Sequence, residues 1–284
     1  MPSTKEGYLI CPLAIVAICR EIVKVLGISI ERKPGEPGRP PTPFEKVMNA
    51  IWFRLRTGCQ WKAIPECEYL CNGTTAHRWF MRMTRAGVFE LLYCVLVALY
   101  LEGGVEKLRA LGIDCTLCPA PLGGAETGPN PTDRGKSGVK ISIVVEHKGR
   151  PLAIELAAAN VHDFRLLGVT LEKLAAEVLA RLADEALLVA DKGYDYPQAH
   201  EEAQKRGFRA RIQSRGQGYG AANAAERKLR AACERLFAWL KAFRAVRVCW
   251  SRLLATFASH VYLACSYLLV DALPPSVQRL ILRA

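Results

Sequence analysis

No stretch of this 284-residue chain is both long and apolar enough to span a bilayer. The longest contender, Tyr8 to Ile30, is interrupted by Arg20, Glu21 and Lys24, and its clean part ends at Cys19. Only Lys5 stands where a signal peptide would carry its basic start, and no small-x-small cleavage site follows closely. Export and a membrane partner are therefore not expected, and the stretch reads as an N-terminal core helix. Cysteine is too sparse for a disulfide-stapled scaffold: 11 in 284 residues suit small hydrophobes in a reducing compartment. Internal repeats are absent. Acids are nearly missing from residues 204–284, which hold Glu226, Glu234 and Asp271 against 15 Lys and Arg.

What is present is an ordinary globular composition, 51% hydrophobic and 23% charged, which excludes disorder, collagen-like repeats and coiled coil as overall classes. Length suggests one large or two medium domains. The net charge of +12 falls wholly in the last 81 residues, because the first 203 hold 24 charges of each sign. A one-sided basic surface of this kind is the footprint of a polyanion. Nucleic acid leads; a membrane surface and an idle basic face are the alternatives.

Along the chain, Glu31–Pro43 is a Pro/Gly-rich linker in which helix is excluded. Apolar spacing at Phe44, Val47, Ile51 and Leu55 predicts a helix over Phe44–Arg56, stopped by Gly58. Asn72–Thr75 offers cap residues for a short amphipathic helix over His77–Arg85, broken at Gly87. An apolar helix follows over Val88–Leu101. Three helices with a basic middle one look like a helix-turn-helix unit. On that middle helix Arg78, Arg82 and Arg85 form one outward stripe, with Trp79, Phe80 and Met83 able to face inward.

The period then changes from 3.6 to 2. Leu111–Leu117 reads as a strand, Pro119–Gly138 as a loop, and Val139–His147 with Pro151–Ala157 as a hairpin. Helix is predicted over Arg165–Leu182, strand over Ala186–Ala190, helix over Tyr196–Arg206 and strand over Phe208–Gln213. Two long helices close the chain, Ala224–Arg247 and Ser251–Leu269. The expected class is α/β, with residues 1–107 a helical domain that looks DNA-binding and 108–284 a second domain of strands and helices.

Three acids stand out. Asp114 is a lone carboxylate in an apolar strand. Asp191 ends the strand Ala-Leu-Leu-Val-Ala, and ligand sites gather at such strand ends. Glu234 lies on the long basic helix, where Arg227, Arg230, Glu234 and Lys241 fall on one narrow stripe at 100° per residue. If the three converge, they supply the oxygen ligands that hard divalent cations take. Two ions about 3.5–4 Å apart would hold both the attacking and the leaving oxygen of a phosphodiester. Each acid also has a plainer reading: a strand-edge charge, a turn residue, and one member of a solvated salt-bridge row.

Taken together, the blocks resemble a known family. Leu188-Val-Ala-Asp-Lys-Gly-Tyr-Asp195 and Glu234-Arg-Leu-Phe-Ala-Trp-Leu-Lys241-Ala-Phe-Arg are similar to those of the DDE transposases of bacterial insertion sequences, in the IS-four/IS-five group. Asp114 in Gly-Ile-Asp-Cys-Thr fits the first acid, and Gly149-Arg-Pro-Leu and Val161-His-Asp fit stretches between. Arg56-Thr-Gly-Cys-Gln-Trp-Lys-Ala-Ile-Pro resembles the N-terminal domain. The likeness runs from Pro34 to Val270. The family signature of Tyr, two residues, Arg, three residues, Glu, six residues and Lys is met at Arg230, Glu234 and Lys241, while Arg227 stands at the Tyr position.

The resemblance implies a ribonuclease-H-like fold and a catalytic, metal-binding triad of Asp114, Asp191 and Glu234. Two Mg²⁺ or Mn²⁺ ions would serve DNA cleavage and strand transfer. Only 43 residues separate Asp191 from Glu234, which leaves little room for a large insertion. It further implies double-stranded DNA as partner (terminal inverted repeats and target), a homodimer or higher assembly on DNA, and a cytoplasmic, nucleoid-associated location. Candidate DNA contacts are Arg78, Arg82, Arg85, Lys136, Lys140, Lys192, Arg227, Arg230, Lys241 and Arg244. A domesticated DNA-binding protein without catalysis, or a nuclease that cuts without joining, are the alternatives.

Weaker signals remain. Cys115-Thr-Leu-Cys118 lacks a second pair at zinc spacing, and Cys59, Cys67, Cys71 and His77 form only a loose set, so neither is read as a zinc site. Asp163 precedes a helix and is expected as its N-cap, ahead of a role in the site.

Overall fold

A computed structural model describes residues 9–30, 40–105, 107–214 and 224–283. The linker is therefore described only over Pro40–Pro43. The chain divides into two compact units. A helical unit gathers the described residues of Met1–Leu96, Ala242–Val246 and Ala255–Ala284; a sheet unit gathers those of Val97–Lys241 and Arg247–Leu254. The C-terminal helices thus join the N-terminal ones, where a boundary at 107 would set them with the sheet.

The helical unit holds α1 (Leu13–Val25), α2 (Phe44–Thr57), α3 (Gly73–Arg85), α4 (Val88–Glu102) as far as Leu96, α9 (Arg244–Arg247) as far as Val246, α10 (Leu254–Val270) from Ala255 on and α11 (Pro275–Ile281). On α2, Phe44, Val47, Ile51 and Leu55 are all buried, as their spacing requires. Gly58 ends the helix in the left-handed region at φ +67°, and its N–H closes on the Arg54 carbonyl at 2.7 Å. A side chain there would meet Arg244 Cβ at 2.9 Å, so glycine is required twice over. Asn72 caps α3 by accepting from the Thr75 N–H at 2.9 Å. Phe80 and Met83 are buried and Trp79 is half-buried against Phe44, while Arg78, Arg82 and Arg85 are exposed. The apolar helix α10 lies in the core. Tyr267 packs on Trp52 with ring centroids 5.2 Å apart, and His260 on Phe80 at 4.5 Å.

The sheet unit holds β1 (Leu108–Pro119), β2 (Gly128–Pro129), β3 (Ser137–Val145), β4 (Pro151–Ala158), β5 (Leu182–Ala190) and β6 (Arg209–Ile212). The order across the sheet is β4-β3-β1-β5-β6, with the short β2 added at the Ser137 end of β3. β1 is antiparallel to β3 and parallel to β5, and β6 is parallel to β5. Helix α5 (Asp163–Glu172) packs on β3 and β4, α7 (Pro197–Lys205) beside it, and α8 (Ala224–Lys241) across β1, β3 and β5. This is a mixed α/β sheet of ribonuclease-H-like type, with β1 at its centre.

Two predicted helices are shorter than their sequence suggests. Arg165–Leu182 resolves into α5, a single turn α6 (Ala176–Leu179) and the first residue of β5, because Leu182 is drawn into pairing with Leu108. Ala224–Arg247 breaks after Lys241, and Phe243 turns into the helical unit between Trp52 and Tyr267, with the Arg56 guanidinium 4.6 Å above its ring. Where α8 crosses β1 the strand carries Gly112. A side chain at that position would stand 3.1 Å from Cys233 Sγ and 3.5 Å from the Leu229 carbonyl oxygen. Glycine lets the helix lie close, which sets the height of Arg230 and Glu234 above the sheet.

Candidate active site

β1 and β5 run side by side, pairing Ala110 with Leu187, Leu111 with Leu188 and Gly112 with Val189. Carried on by two residues, that register sets Asp114 beside Asp191. Strand side chains alternate, so Asp114 shares the α8 face with Gly112. Asp114 Oδ1 accepts from the Cys115 N–H at 2.7 Å. Asp191 follows β5 directly and caps the 3-10 turn Lys192–Tyr194, its Oδ1 accepting from the Gly193 N–H at 2.8 Å.

Burial pushes the Asp114 carboxyl up to about 7, and the nearby charges of Asp191 and Asp163 add to the rise. The Cys115 N–H and the Arg230 guanidinium oppose it. Three carboxylates thus share one corner of the sheet. Asp163 is the member that sequence reasoning assigned elsewhere. His162, not Asp163, is the N-cap of α5, and it makes no side-chain cap bond. The Asp163 carboxylate is taken up by Lys140 instead, at 2.5 Å.

The opposite face of β1 braces the corner. Cys115 stands opposite Ser142 of β3, whose Oγ accepts from Thr170 of α5 at 2.8 Å. The Cys115 Sγ lies 3.1 Å from the hydroxyl of the buried Tyr194. Cys115 therefore ties the turn after β5 to β1. Cys118 is buried, and burial pushes its thiol up to about 12 while Lys241 pulls the other way.

The expected cations take different places. Arg230 reaches Gln213 Oε1 at 2.8 Å and stands within the field of Asp114. Lys241, Lys192, Arg227 and Arg244 are exposed, as is Lys136, which pairs with Asp133 at 3.4 Å. Lys140 is turned inward and 7% exposed, its ammonium given to Asp163 and to the Val161 carbonyl, so it presents no surface charge to phosphate. Glu234 is exposed on α8, one turn beyond Arg230. Among the described residues no three of His, Cys, Asp or Glu stand close enough to hold one ion between them. The strand register brings Asp114 and Asp191 together, and Glu234 forms no such three-member group with them.

The pair still has the chemistry of a divalent-cation site. Its donors are hard oxygens, and charge crowding at Asp114 is what a cation would relieve. Mg²⁺ is commonly held by one or two carboxylates, with waters and substrate phosphate completing its shell. Asp114 and Asp191 fit that requirement.

A family model described as a transposase DDE domain matches residues 107–269. A second, for transposases of the IS4/5 family, matches residues 23–93. The chain belongs to the DDE transposase family. A relative from Burkholderia cepacia, described as a transposase for insertion sequence element IS402, is 33% identical over 146 residues, covering 50% of this chain and 68% of its own. In this transposase the matched DDE region takes in β1, β5 and α8, and hence Asp114, Asp191 and Glu234. Among the described residues no single helix is long and apolar enough to cross a membrane.

Proposed function

We propose that this transposase binds the terminal inverted repeats of an insertion sequence, cuts the DNA at the element ends and joins them to target DNA. The observation that supports the reading is the parallel register of β1 and β5, which brings Asp114 within β1 alongside Asp191 just past the end of β5. Mg²⁺ or Mn²⁺, when bound, would supply a Lewis acid for the phosphoryl oxygen and a nucleophile at neutral pH. Asp114 and Asp191 would hold it, and Glu234 would complete the set from α8. Two ions per site is the reading that accounts for both cutting and joining.

Arg230 and Lys241 flank Glu234 on α8. Their charges would meet the phosphates beside the scissile bond, holding the strand in line and offsetting charge that develops on the phosphoryl oxygens. The exposed Arg78, Arg82 and Arg85 of α3 would contact the element end. Lys136, Lys192, Arg227 and Arg244 would add phosphate contacts that supply most of the affinity. Two ends must be brought together, so a dimer or higher assembly forms on DNA, in the cytoplasm. The test is incubation of the purified protein with element-end duplex, target DNA and Mg²⁺ or Mn²⁺. Metal-dependent cutting followed by joined products is expected. Cutting without joining would make it a nuclease, and binding without cutting would make it a regulator.

A further inference from the structure

Asp163 has its carboxylate divided between two neighbours. One oxygen, Oδ1, accepts from Lys140 Nζ at 2.5 Å, and the same ammonium donates to the Val161 carbonyl at 2.6 Å. The other oxygen faces Gly193. A methyl group placed on Gly193 would stand 3.4 Å from Asp163 Oδ2 and 2.9 Å from Asp191 Oδ1. One methyl-sized position therefore touches both carboxylates, and the sequence leaves it empty with glycine.

A buried ammonium is a costly way to fasten a helix start. Lys140 sits in β3 among Val139, Ile141 and Ile143, all of them buried. An apolar side chain there would fill the space without desolvating a charge, and breaking such a pair costs more than never having it. His162 already occupies the cap position. What the pair does achieve is to fix one carboxylate oxygen and leave the other beside the position at Gly193 that Asp191 also borders. Asp163 is not a third ligand by geometry, since no three acids gather closely enough among the described residues. It stands just outside the pair, where partners orient ligands and set their charge.

We propose that Asp163 is a positioning residue of the Asp114–Asp191 site, anchored by Lys140 so that its second oxygen raises the affinity of the two aspartates for a divalent cation. The inference rests on the metal-dependent reading given above. The probe is Mn²⁺ alone, titrated into the full-length protein without DNA and followed by the electron paramagnetic resonance signal of the free ion. Wild type should bind, and Asp114→Asn and Asp191→Asn should each lose binding. Asp163→Asn should weaken it on the order of 10-fold; its amide oxygen still accepts from Lys140, but the buried ammonium loses its counter-charge, so the melting temperature should fall. Asp163→Glu restores the charge and should recover most of the affinity. The double variant Lys140→Gln with Asp163→Asn replaces the pair by two neutral hydrogen-bonding groups and should bind as weakly as Asp163→Asn. Unchanged Mn²⁺ affinity in both Asp163→Asn variants, with binding still dependent on Asp114 and Asp191, would overturn the proposal alone and leave a structural ion pair. Absence of wild-type binding, or binding indifferent to Asp114 and Asp191, would overturn the metal-site reading and this proposal with it.

Discussion

The thiol of Cys115 and the hydroxyl of Tyr194 meet at 3.1 Å beneath the two aspartates. One residue follows Asp114 and the other lies three past Asp191, so the contact joins the two segments that carry the acids. Tyr194→Phe removes the hydroxyl while keeping the buried ring. The expected cost is about 1 kcal/mol of stability, and a larger loss in cleavage, because the turn that aims Asp191 is less firmly tied to β1. Chemical denaturation and single-turnover cleavage at saturating DNA separate the two. Equal, small losses in both would make the contact purely structural.

Asp114→Asn, Asp191→Asn and Glu234→Gln should each abolish cleavage while leaving binding of element-end DNA nearly intact. Each substitution takes a negative charge from the site and no cation from the DNA surface. Gel-shift and cleavage assays on one substrate decide it, and Glu234 is the informative member because it comes from α8 and not from the sheet. Cutting by Glu234→Gln at the wild-type rate would remove it from the machinery.

How much of this was legible in the sequence differs by level. Asp114 and Asp191 could be picked out because a charge in an apolar strand and a charge at a strand end are visible one residue at a time. Gly58, Asn72 and Gly87 punctuate helices by local rules, and the helices obey them. The Lys140–Asp163 pair was not legible, since 23 residues separate partners that only the β3–β4–α5 crossing brings together. A lysine inside the run Val139–Val145 was the one hint, being the wrong residue for a strand buried on both faces. Leu182 looked helical for a similar reason: its pairing with Leu108 is non-local and overrides a continuous helical pattern.

Removing charge from Arg78, Arg82 and Arg85 together should weaken binding to element ends. If they read base edges, discrimination from random duplex should fall by about 1–3 kcal/mol for each good bidentate pair. If they meet phosphate alone, affinity should fall equally on all sequences, and the salt slope should shrink by about one for each arginine that met a phosphate. Fluorescence anisotropy on both duplexes at several salt concentrations tells these apart, and unchanged affinity for both would leave α3 without a role on DNA.

Arg230→Ala and Lys241→Ala should slow cleavage by one to a few orders of magnitude, about 1.4 kcal/mol for each tenfold. The Mg²⁺ midpoint should hold, since neither cation binds metal. A wild-type plateau rate with a lowered melting temperature would mark a surface ion-pair row instead, worth about 0–1 kcal/mol.

His260 makes the helical unit sensitive to acid. Its Nδ1 donates to the Thr256 carbonyl at 2.8 Å, and burial, helped by the Arg54 charge, pushes the ring down to about 3 from its ordinary 6.5. Below 6.5 the unfolded chain takes up the proton while the folded one does not, until about pH 3. Stability should therefore fall as pH drops through that window, by up to about 1.4 kcal/mol per pH unit. Urea midpoints at pH 7 and pH 5 measure it, and His260→Leu should flatten the dependence.

Helix α10 has a consequence for the order of manufacture. Its Tyr267, His260 and Tyr262 supply the inner wall against Trp52, Phe80 and Tyr93. Those three early aromatics leave the ribosome long before their partners are made. The unit begun first is thus the one finished last, its apolar surfaces waiting through the synthesis of the whole sheet. A message cut short before α10 would carry both aspartates yet leave Trp52, Phe80 and Tyr93 without these partners.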